Sequence, residues 1–249
     1  MTRTAALYDI HGNLPALEAV LVDVRRAGVE QLVIGGDVLP GPMPDECLDL
    51  LLNVEIPALF IHGNGEREVL AHLRGQEMTT VPEQFREPLR WSAAQLSPDH
   101  EAEIASWPPL ASLDIDGLGE VTFCHATPRN DVEIFTRLTP EARLIPIFEQ
   151  LYTPVVVCGH THMQFDRTIG ATRVVNAGSV GMPFGEPGAY WLLLGPNLDL
   201  RRTSYDLDDA AARVGATAYP AAEAFAATGI LEPPSESAIL EGYAIAELK

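Results

Sequence analysis

Residues 4–37 read TAALYDIHGNLPALEAVLVDVRRAGVEQLVIGGD: a short apolar run, a helical pattern and a second apolar run. Leu14, Leu17, Leu21 and Val24 recur at helical spacing, Pro15 suits a first turn and Gly28 a stop. The pattern predicts strands over Thr4 to Tyr8 and Gln31 to Ile34 with a helix over Leu14 to Ala27 between them. A helix over Asp45 to Asn53 and a third strand over Ala58 to Ile61 extend the unit to β-α-β-α-β, in which the three strands run parallel. Ligands of such a sheet gather outside the carboxyl ends of its strands. Asp9-Ile10-His11 follows the first strand, Gly36-Asp37 the second and Gly63-Asn64 the third.

The same punctuation continues downstream. Leu110 to Ile115 and Glu120 to Cys124 read as a hairpin across Asp116-Gly117-Leu118-Gly119, Pro140 to Tyr152 as a helix and Pro154 to Cys158 as a strand. His125 follows one of these strands and Gly159-His160-Thr161-His162 another. Four short strands between Gln164 and Tyr205, with no helix between them, predict a second, largely antiparallel sheet. The expected class is α/β, a four-layer α/β/β/α sandwich of two mixed β-sheets flanked by helices. Residues 1–205 form the expected main domain. Within it residues 66–109, polar and broken by Pro82, Pro88, Pro98 and Pro108-Pro109, read as a helical flap insertion beside the site. Residues 206–249 read as an Ala-rich helical tail packed on the domain.

The chain has 249 residues, 35 acidic and 16 basic, for a formal charge of -19. That balance argues against long nucleic acid and anionic membranes as partners. Cys47, Cys124 and Cys158 form no Cys-x-x-Cys pair, and two of them sit inside apolar strands, as small buried thiols of a reducing cytosol do. The N-terminus enters a strand directly, and no apolar run reaches the roughly 18 to 20 residues that span a bilayer. A cytoplasmic protein is expected, with a small substrate as partner and self-association left open.

Seven ligand-type side chains thus fall at strand ends: Asp9, His11, Asp37, Asn64, His125, His160 and His162. Single pieces are weak evidence, but Gly-His-x-His is rare, and alternation lets both imidazoles face one cavity. Their ordered conjunction predicts a dinuclear metal hydrolase. Two divalent ions about 3.5 to 4 Å apart neutralise a phosphate ester and make water nucleophilic at neutral pH. Asp37, after the flexible Gly35-Gly36 turn, is the expected bridging carboxylate.

From Ala5 to about Gly185 the chain resembles the calcineurin-like metallophosphoesterases, and more closely their compact bacterial and archaeal phosphodiesterase branch. The family pattern is Asp-x-His, Gly-Asp, Gly-Asn-His-Asp/Glu, a lone His and Gly-His-x-His. The resemblance implies one metal on Asp9, His11, Asp37 and His162 and a second on Asp37, Asn64, His125 and His160. It implies in-line attack on phosphorus by a metal-bridging hydroxide, with Asp37, Asn64 and His125 in catalytic roles. Manganese or iron is the expected metal; zinc, cobalt and nickel also suit the donors.

The third motif departs from the family: Gly63-Asn64-Gly65-Glu66 has glycine where many members carry a leaving-group histidine. A positioned general acid contributes roughly 10² to 10⁴-fold, so small phosphodiesters and activated phosphomonoesters are the expected substrates. A phosphoprotein or dinucleoside-polyphosphate phosphatase is the alternative, and a non-catalytic scaffold of the same fold is another. His62 is a candidate replacement, although strand alternation points it away. Four further positions are candidates for the substrate site. Arg129 would grip a phosphate oxygen or pair with Asp131 or Glu133. Asn13 would contact phosphate or, preferably, cap the first helix. Gly65 stands in the histidine's place. Gly178, in the Asn176 to Gly181 loop that resembles the family's Asn-x-Gly-Ser segment, would help to close one wall.

Overall fold

Alternation along the first strand sorts its side chains into two different cores. In the computed structural model, which describes residues 2–76 and 81–248, β1 (Thr4–Leu7) is buried on both faces. Ala5 and Leu7 point into a cluster with the apolar side of α1 (Leu14–Arg26), including Leu17, Val20 and Val24. Ala6 and the following Tyr8 point the other way, against Val121, Phe123, Val157 and Val175 of a second sheet. Successive residues of a strand face opposite sides, so one apolar run serves two layer contacts.

β1 pairs in parallel with β2 (Gln31–Ile34), Ala5 opposite Leu32, and β2 pairs in parallel with β3 (Ala58–Phe60). The second sheet begins with the hairpin β4 (Leu110–Ile115) and β5 (Gly119–Cys124). After α6 (Glu141–Phe148) come β6 (Val155–Cys158), β7 (Phe165–Ile169) and β8 (Thr172–Asn176). Its order is β4-β5-β6-β8-β7, with β5-β6 and β6-β8 parallel and the outer pairs antiparallel. Leu144, Ile147 and Phe148 of α6 cover its outer face, against Val156, Cys158 and Val174. The result is an α/β sandwich of two mixed five-stranded sheets flanked by helices.

Two expectations are corrected. The four strands after Gln164 do not stay together. β7 and β8 close the second sheet, whereas β9 (Ala189–Leu194) and β10 (Leu198–Thr203) cross back to give the first sheet the order β10-β9-β1-β2-β3. β9 is antiparallel to β1 and offers it the apolar run Trp191 to Leu194, which a buried central strand needs on its free edge. The helix over Pro140 to Tyr152 stops at Phe148, and Tyr152 is fully exposed. The segment read as a helical flap insertion is helical. With α2 (Pro44–Leu52), its helices α3 (Asn64–Leu73), α4 (Glu83–Gln95) and α5 (Pro98–Ser106) extend the helical layer of α1. Leu89, Ala93, Ile104 and Trp107 share its core because each of these helices has an apolar stripe to bury. Residues 77–80 of that segment lie outside the described residues.

Beyond β10, α7 (Leu207–Gly215), α8 (Ala222–Phe225) and a π-helical turn Ala226–Leu231 pack on Met43, Leu14 and Trp91. The last helix, α9 (Glu236–Ala246), lies between two loops that follow site strands. Before it, the Pro234 carbonyl accepts from the Gly185 amide at 2.9 Å; after it, the Leu248 amide donates to the Ile134 carbonyl at 2.9 Å.

The loop after β2 is tied to α4 by one hydroxyl. Ser92 Oγ is fully buried, accepts from the Gly41 amide at 3.0 Å and donates to the Gly41 carbonyl at 3.0 Å. Ser92→Ala leaves both backbone groups without their partner, at a cost of about 1–3 kcal/mol. Urea unfolding should show that loss as a lowered midpoint at unchanged slope; a midpoint equal to wild type would contradict it.

Candidate metal centre

The turns after β1 and β2 continue the strands' parallel pairing through the backbone. Asp9 N donates to Gly36 O at 3.1 Å, His11 N to Asp37 O at 2.9 Å and Gly12 N to Val38 O at 2.8 Å. The Asn176 to Gly181 loop holds the other side: Ser179 Oγ and Gly181 N donate to Asp9 O at 2.7 and 3.0 Å. Between these supports the chain takes up an uncommon backbone conformation. Asp9, His11, Asp37, His160 and His162 all have left-handed φ, from 48° to 66°. They are five of the six such non-glycine residues among the described residues. Asp and His tolerate this region better than bulky or branched residues, but at a cost of order 1 kcal/mol each, and such outliers gather at functional sites.

Two donor groups result, Asp9 with His11 and His162, and Asp37 with His125 and His160. Asp37 Oδ2 lies 3.5 Å from His125 Nε2 and 3.7 Å from His11 Nε2, between the two groups. Asp9 Oδ1 lies 3.3 Å from His162 Nε2 and 3.8 Å from His125 Nε2. Each imidazole turns its outer nitrogen to a main-chain carbonyl: His11 Nδ1 to Pro40 at 3.3 Å, His162 Nδ1 to Met182 at 2.7 Å, His125 Nδ1 to Gly35 at 3.0 Å and His160 Nε2 to Val132 at 3.2 Å. Donation outward from a neutral imidazole would leave a lone pair on its inner nitrogen, the arrangement that metal-ligating histidines use. His11 Nε2 and His162 Nε2 then face each other at 3.2 Å.

The donor set fits a pair of divalent cations. Asp9 Oδ1 is buried and has no hydrogen-bond partner among the described residues. One terminal atom of the Asn64 amide lies 3.1 Å from His160 Nδ1 and 3.2 Å from the Asp131 carbonyl oxygen. In the absence of a cation the amide turns its nitrogen to both acceptors. Burial raises the Asp37 carboxyl, and the imidazoles of His125, His11 and His160 overcome it, leaving Asp37 well below the usual carboxylate range. His162 does the same for Asp9 against the same effect of burial. Burial lowers His125, but Asp37 and Asp9 outweigh it and push the imidazole up to about 10. Burial and the adjoining His125 hold His160 down at about 4.

The substrate candidates fall differently. Asn13 is fully buried at the start of α1, its Oδ1 accepting from Ala16 N at 3.2 Å and its Nδ2 donating to Gly181 O at 2.9 Å. It caps the helix, the preferred of the two readings, and ties down the Gly181 loop with both amide ends engaged. Arg129 Nε donates to Glu133 at 2.7 and 2.8 Å, the ion-pair alternative. Gly178 packs against the stems of Gln164 and Tyr190 and turns its amide to Asn176 Oδ1 at 2.9 Å, so it shapes the loop behind Asp9. Gly65 donates its amide to Asp37 Oδ1 at 2.7 Å. A Cβ there would collide with the Leu39 carbonyl oxygen and lie 2.9 Å from Asp37 Oδ1. The main chain at Leu39 therefore occupies the room that a side chain at position 65 needs.

One part of this region was not singled out from sequence. Glu66 is completely buried, and its carboxylate accepts from the amides of Asp37, Val38, Leu39 and Gly63 at 2.8, 2.7, 3.2 and 2.8 Å. Burial and the Asp37 carboxylate push it up to about 7, against the pull of those amides. The signal was present as Gly63-x-x-Glu66 before a helical pattern, the spacing of a capping box. His62, the candidate replacement for the missing histidine, lines a cavity together with His125.

Residues 3–195 match the model of the calcineurin-like phosphoesterase superfamily domain. The chain belongs to that family. Among proteins it is similar to, an uncharacterized protein of Methanocaldococcus jannaschii is 27% identical over 178 residues, 71% of this chain and 69% of that one. The crystal structure of a metallophosphoesterase from Sphaerobacter thermophilus superposes with a TM-score of 0.70 at 24% identity, covering 92% of this chain and 99% of that one. A hypothetical protein from Pyrococcus horikoshii OT3 superposes with a TM-score of 0.76 at 19% identity, covering 94% and 100%. These two structures share its fold.

Removing the Glu66 carboxylate strands backbone donors that cost about 1–3 kcal/mol apiece when buried without a partner. Glu66→Ala should lower unfolding stability by about 3 kcal/mol or more, read by denaturant titration, and an undiminished stability would refute the tie. The proton on His125 has a separate consequence. Its pKa is raised from 6.5 to about 10, so it stabilises the metal-free protein below about pH 6.5 and that contribution is lost as pH rises through about 10. A cation must displace this proton, so Mn²⁺ affinity should rise with pH. Calorimetry at pH 7.5 in two buffers of different ionisation enthalpy should detect proton release on Mn²⁺ binding; heats independent of buffer would contradict it.

Proposed function

We propose that the protein is a dinuclear metal-dependent phosphoesterase that hydrolyses a small phosphodiester or an activated phosphomonoester, with diesters favoured. The observation that carries this reading is the pair of donor groups with Asp37 Oδ2 between them, 3.7 Å from His11 on one side and 3.5 Å from His125 on the other. Asp9, His11, Asp37 and His162 would hold one ion and Asp37, Asn64, His125 and His160 the other, manganese or iron, with zinc, cobalt and nickel suited to the same donors. Bound there, two divalent ions supply charge neutralisation for the phosphate and activation of water at neutral pH.

The protein's own contribution is placement. Outward hydrogen bonds to four carbonyls fix the imidazoles before substrate arrives, which removes a reorganisation cost from the reaction. Glu66 and the Gly65 amide orient Asp37 from behind. Gly65 gives no imidazole to protonate a departing oxygen, and the Leu39 main chain leaves no space for one. Substrates whose leaving group departs without a general acid are therefore favoured. The buried, unpaired cysteines agree with action in a reducing cytoplasm.

Chelator-stripped protein given Mn²⁺ should cleave bis(p-nitrophenyl) phosphate faster than p-nitrophenyl phosphate. Asp37→Asn and His160→Ala should each lower that rate at least 10³-fold while leaving the circular dichroism spectrum unchanged. Wild-type rates in either variant, or no turnover by the wild type with any of the five metals, would overturn the reading.

A further inference from the structure

A cavity of about 270 Å³ opens beside His125. His62, Arg67 and Arg129 line it with His125, and Pro109 and Leu110 form an apolar wall. It is smaller than the roughly 300 to 1,000 Å³ of a pocket that encloses a whole drug-sized ligand, so it suits one arm of a substrate whose phosphorus sits at the metal groups. The cavity is on the side of Asp37, Asn64, His125 and His160: the Asp131 carbonyl that lies 3.2 Å from the Asn64 amide belongs to a residue lining the same space.

Both arginines are held in place by carboxylates. Arg67 Nε and Nη2 donate to Asp131 Oδ2 and Oδ1 at 2.7 and 3.2 Å. Arg129 pairs through Nε and Nη2 with Glu133, whose own carboxylate is buried and takes the Thr127 hydroxyl at 2.7 Å. In each guanidinium the Nη1 edge has no hydrogen-bond acceptor among the described residues. A guanidinium has five N–H donors in a fixed plane, and the bidentate acid pair uses only one side of it. The pairs therefore fix two permanently charged donors at the rim of one cavity without exhausting either. Arg67 and Arg129 keep their charge at every working pH, so this arrangement does not depend on titration.

We propose that this cavity is a subsite for a second anionic group, and that the substrate is a phosphate ester or anhydride carrying another phosphate or a carboxylate one arm's length from the phosphorus that is attacked. The inference rests on the phosphoesterase reading for the reaction, but binding at the subsite does not require turnover. An uncharged arm gains only the apolar wall of Pro109 and Leu110; a charged arm gains the two Nη1 edges as well.

Two measurements test it. In the first, calorimetry with metal-free protein and inorganic pyrophosphate should detect binding that is weakened at least tenfold in Arg67→Ala and in Arg129→Ala and partly kept in Arg67→Lys. Arg67→Ala and Arg129→Ala leave the Asp9 and Asp37 donor groups as they are, so a loss of pyrophosphate binding in these variants reads the subsite and not the donor groups. In the second, the Mn²⁺ enzyme is given bis(p-nitrophenyl) phosphate and the diester in which one nitro group is replaced by a carboxylate. The wild type should prefer the carboxylate diester in kcat/KM through a lower KM, and each alanine variant should shrink that preference at least fivefold. Absence of pyrophosphate binding, or a parallel fall on both diesters with the preference intact, would overturn the subsite. Turnover of neither diester would overturn the phosphoesterase reading instead, and the binding measurement would still decide the subsite.

Discussion

Two carboxylates buried at the ends of neighbouring parallel strands, Asp9 and Asp37, are the constraint around which the rest is built. An unpaired charge in a protein interior is heavily penalised. Here the compensation comes from four imidazoles, each aimed inward by a carbonyl behind it, and from main-chain amides, His160 N to Asp9 Oδ2 at 2.9 Å and Gly65 N to Asp37 Oδ1 at 2.7 Å. Asp9 Oδ1 is left with no donor among the described residues. The sheets bring the strand ends together, and the residues just past those ends decide whether the burial is tolerable.

That division explains what could be read before any coordinates. The β-α-β-α-β opening was legible because Leu14, Leu17, Leu21 and Val24 keep one period and Pro15 and Gly28 bracket it. That Asp9, His11 and His162 come together in one group and Asp37, His125 and His160 in another was legible because their motifs fall just past apolar runs. The return of β9 to the edge of β1 was not, since pairing partners of a short apolar strand depend on long-range topology rather than on its own sequence. Residues 66–109 read as a flap because prolines and charges interrupt them; that Leu89, Ala93 and Ile104 join the main core depends on long-range packing. Arg129 was recognised beside His125, but its Glu133 partner fixes a geometry that no spacing rule specifies.

Glu66 illustrates the limit most clearly. Its position four residues into a motif suggested the motif's acidic end, and its neighbour Gly65 drew the attention because a histidine was missing there. In the folded chain the two act together: the glutamate gathers the amides of Asp37, Val38 and Leu39, which draws the Leu39 carbonyl across the place a residue-65 side chain would fill. The glycine is thus a steric requirement of the loop that the glutamate organises, and the absent imidazole and the buried acid are a single structural fact.

The left-handed conformation of Asp9, His11, Asp37, His160 and His162 has an evolutionary side. Each of these residues is kept in a backbone region that glycine enters more easily, so the fold carries strain at the five positions that bear the donor side chains. Drift to glycine at one of them would relieve its backbone but leave the facing carboxylate or imidazole without its partner. Loss of the group is therefore uphill one residue at a time, and the constellation guards itself against piecemeal decay.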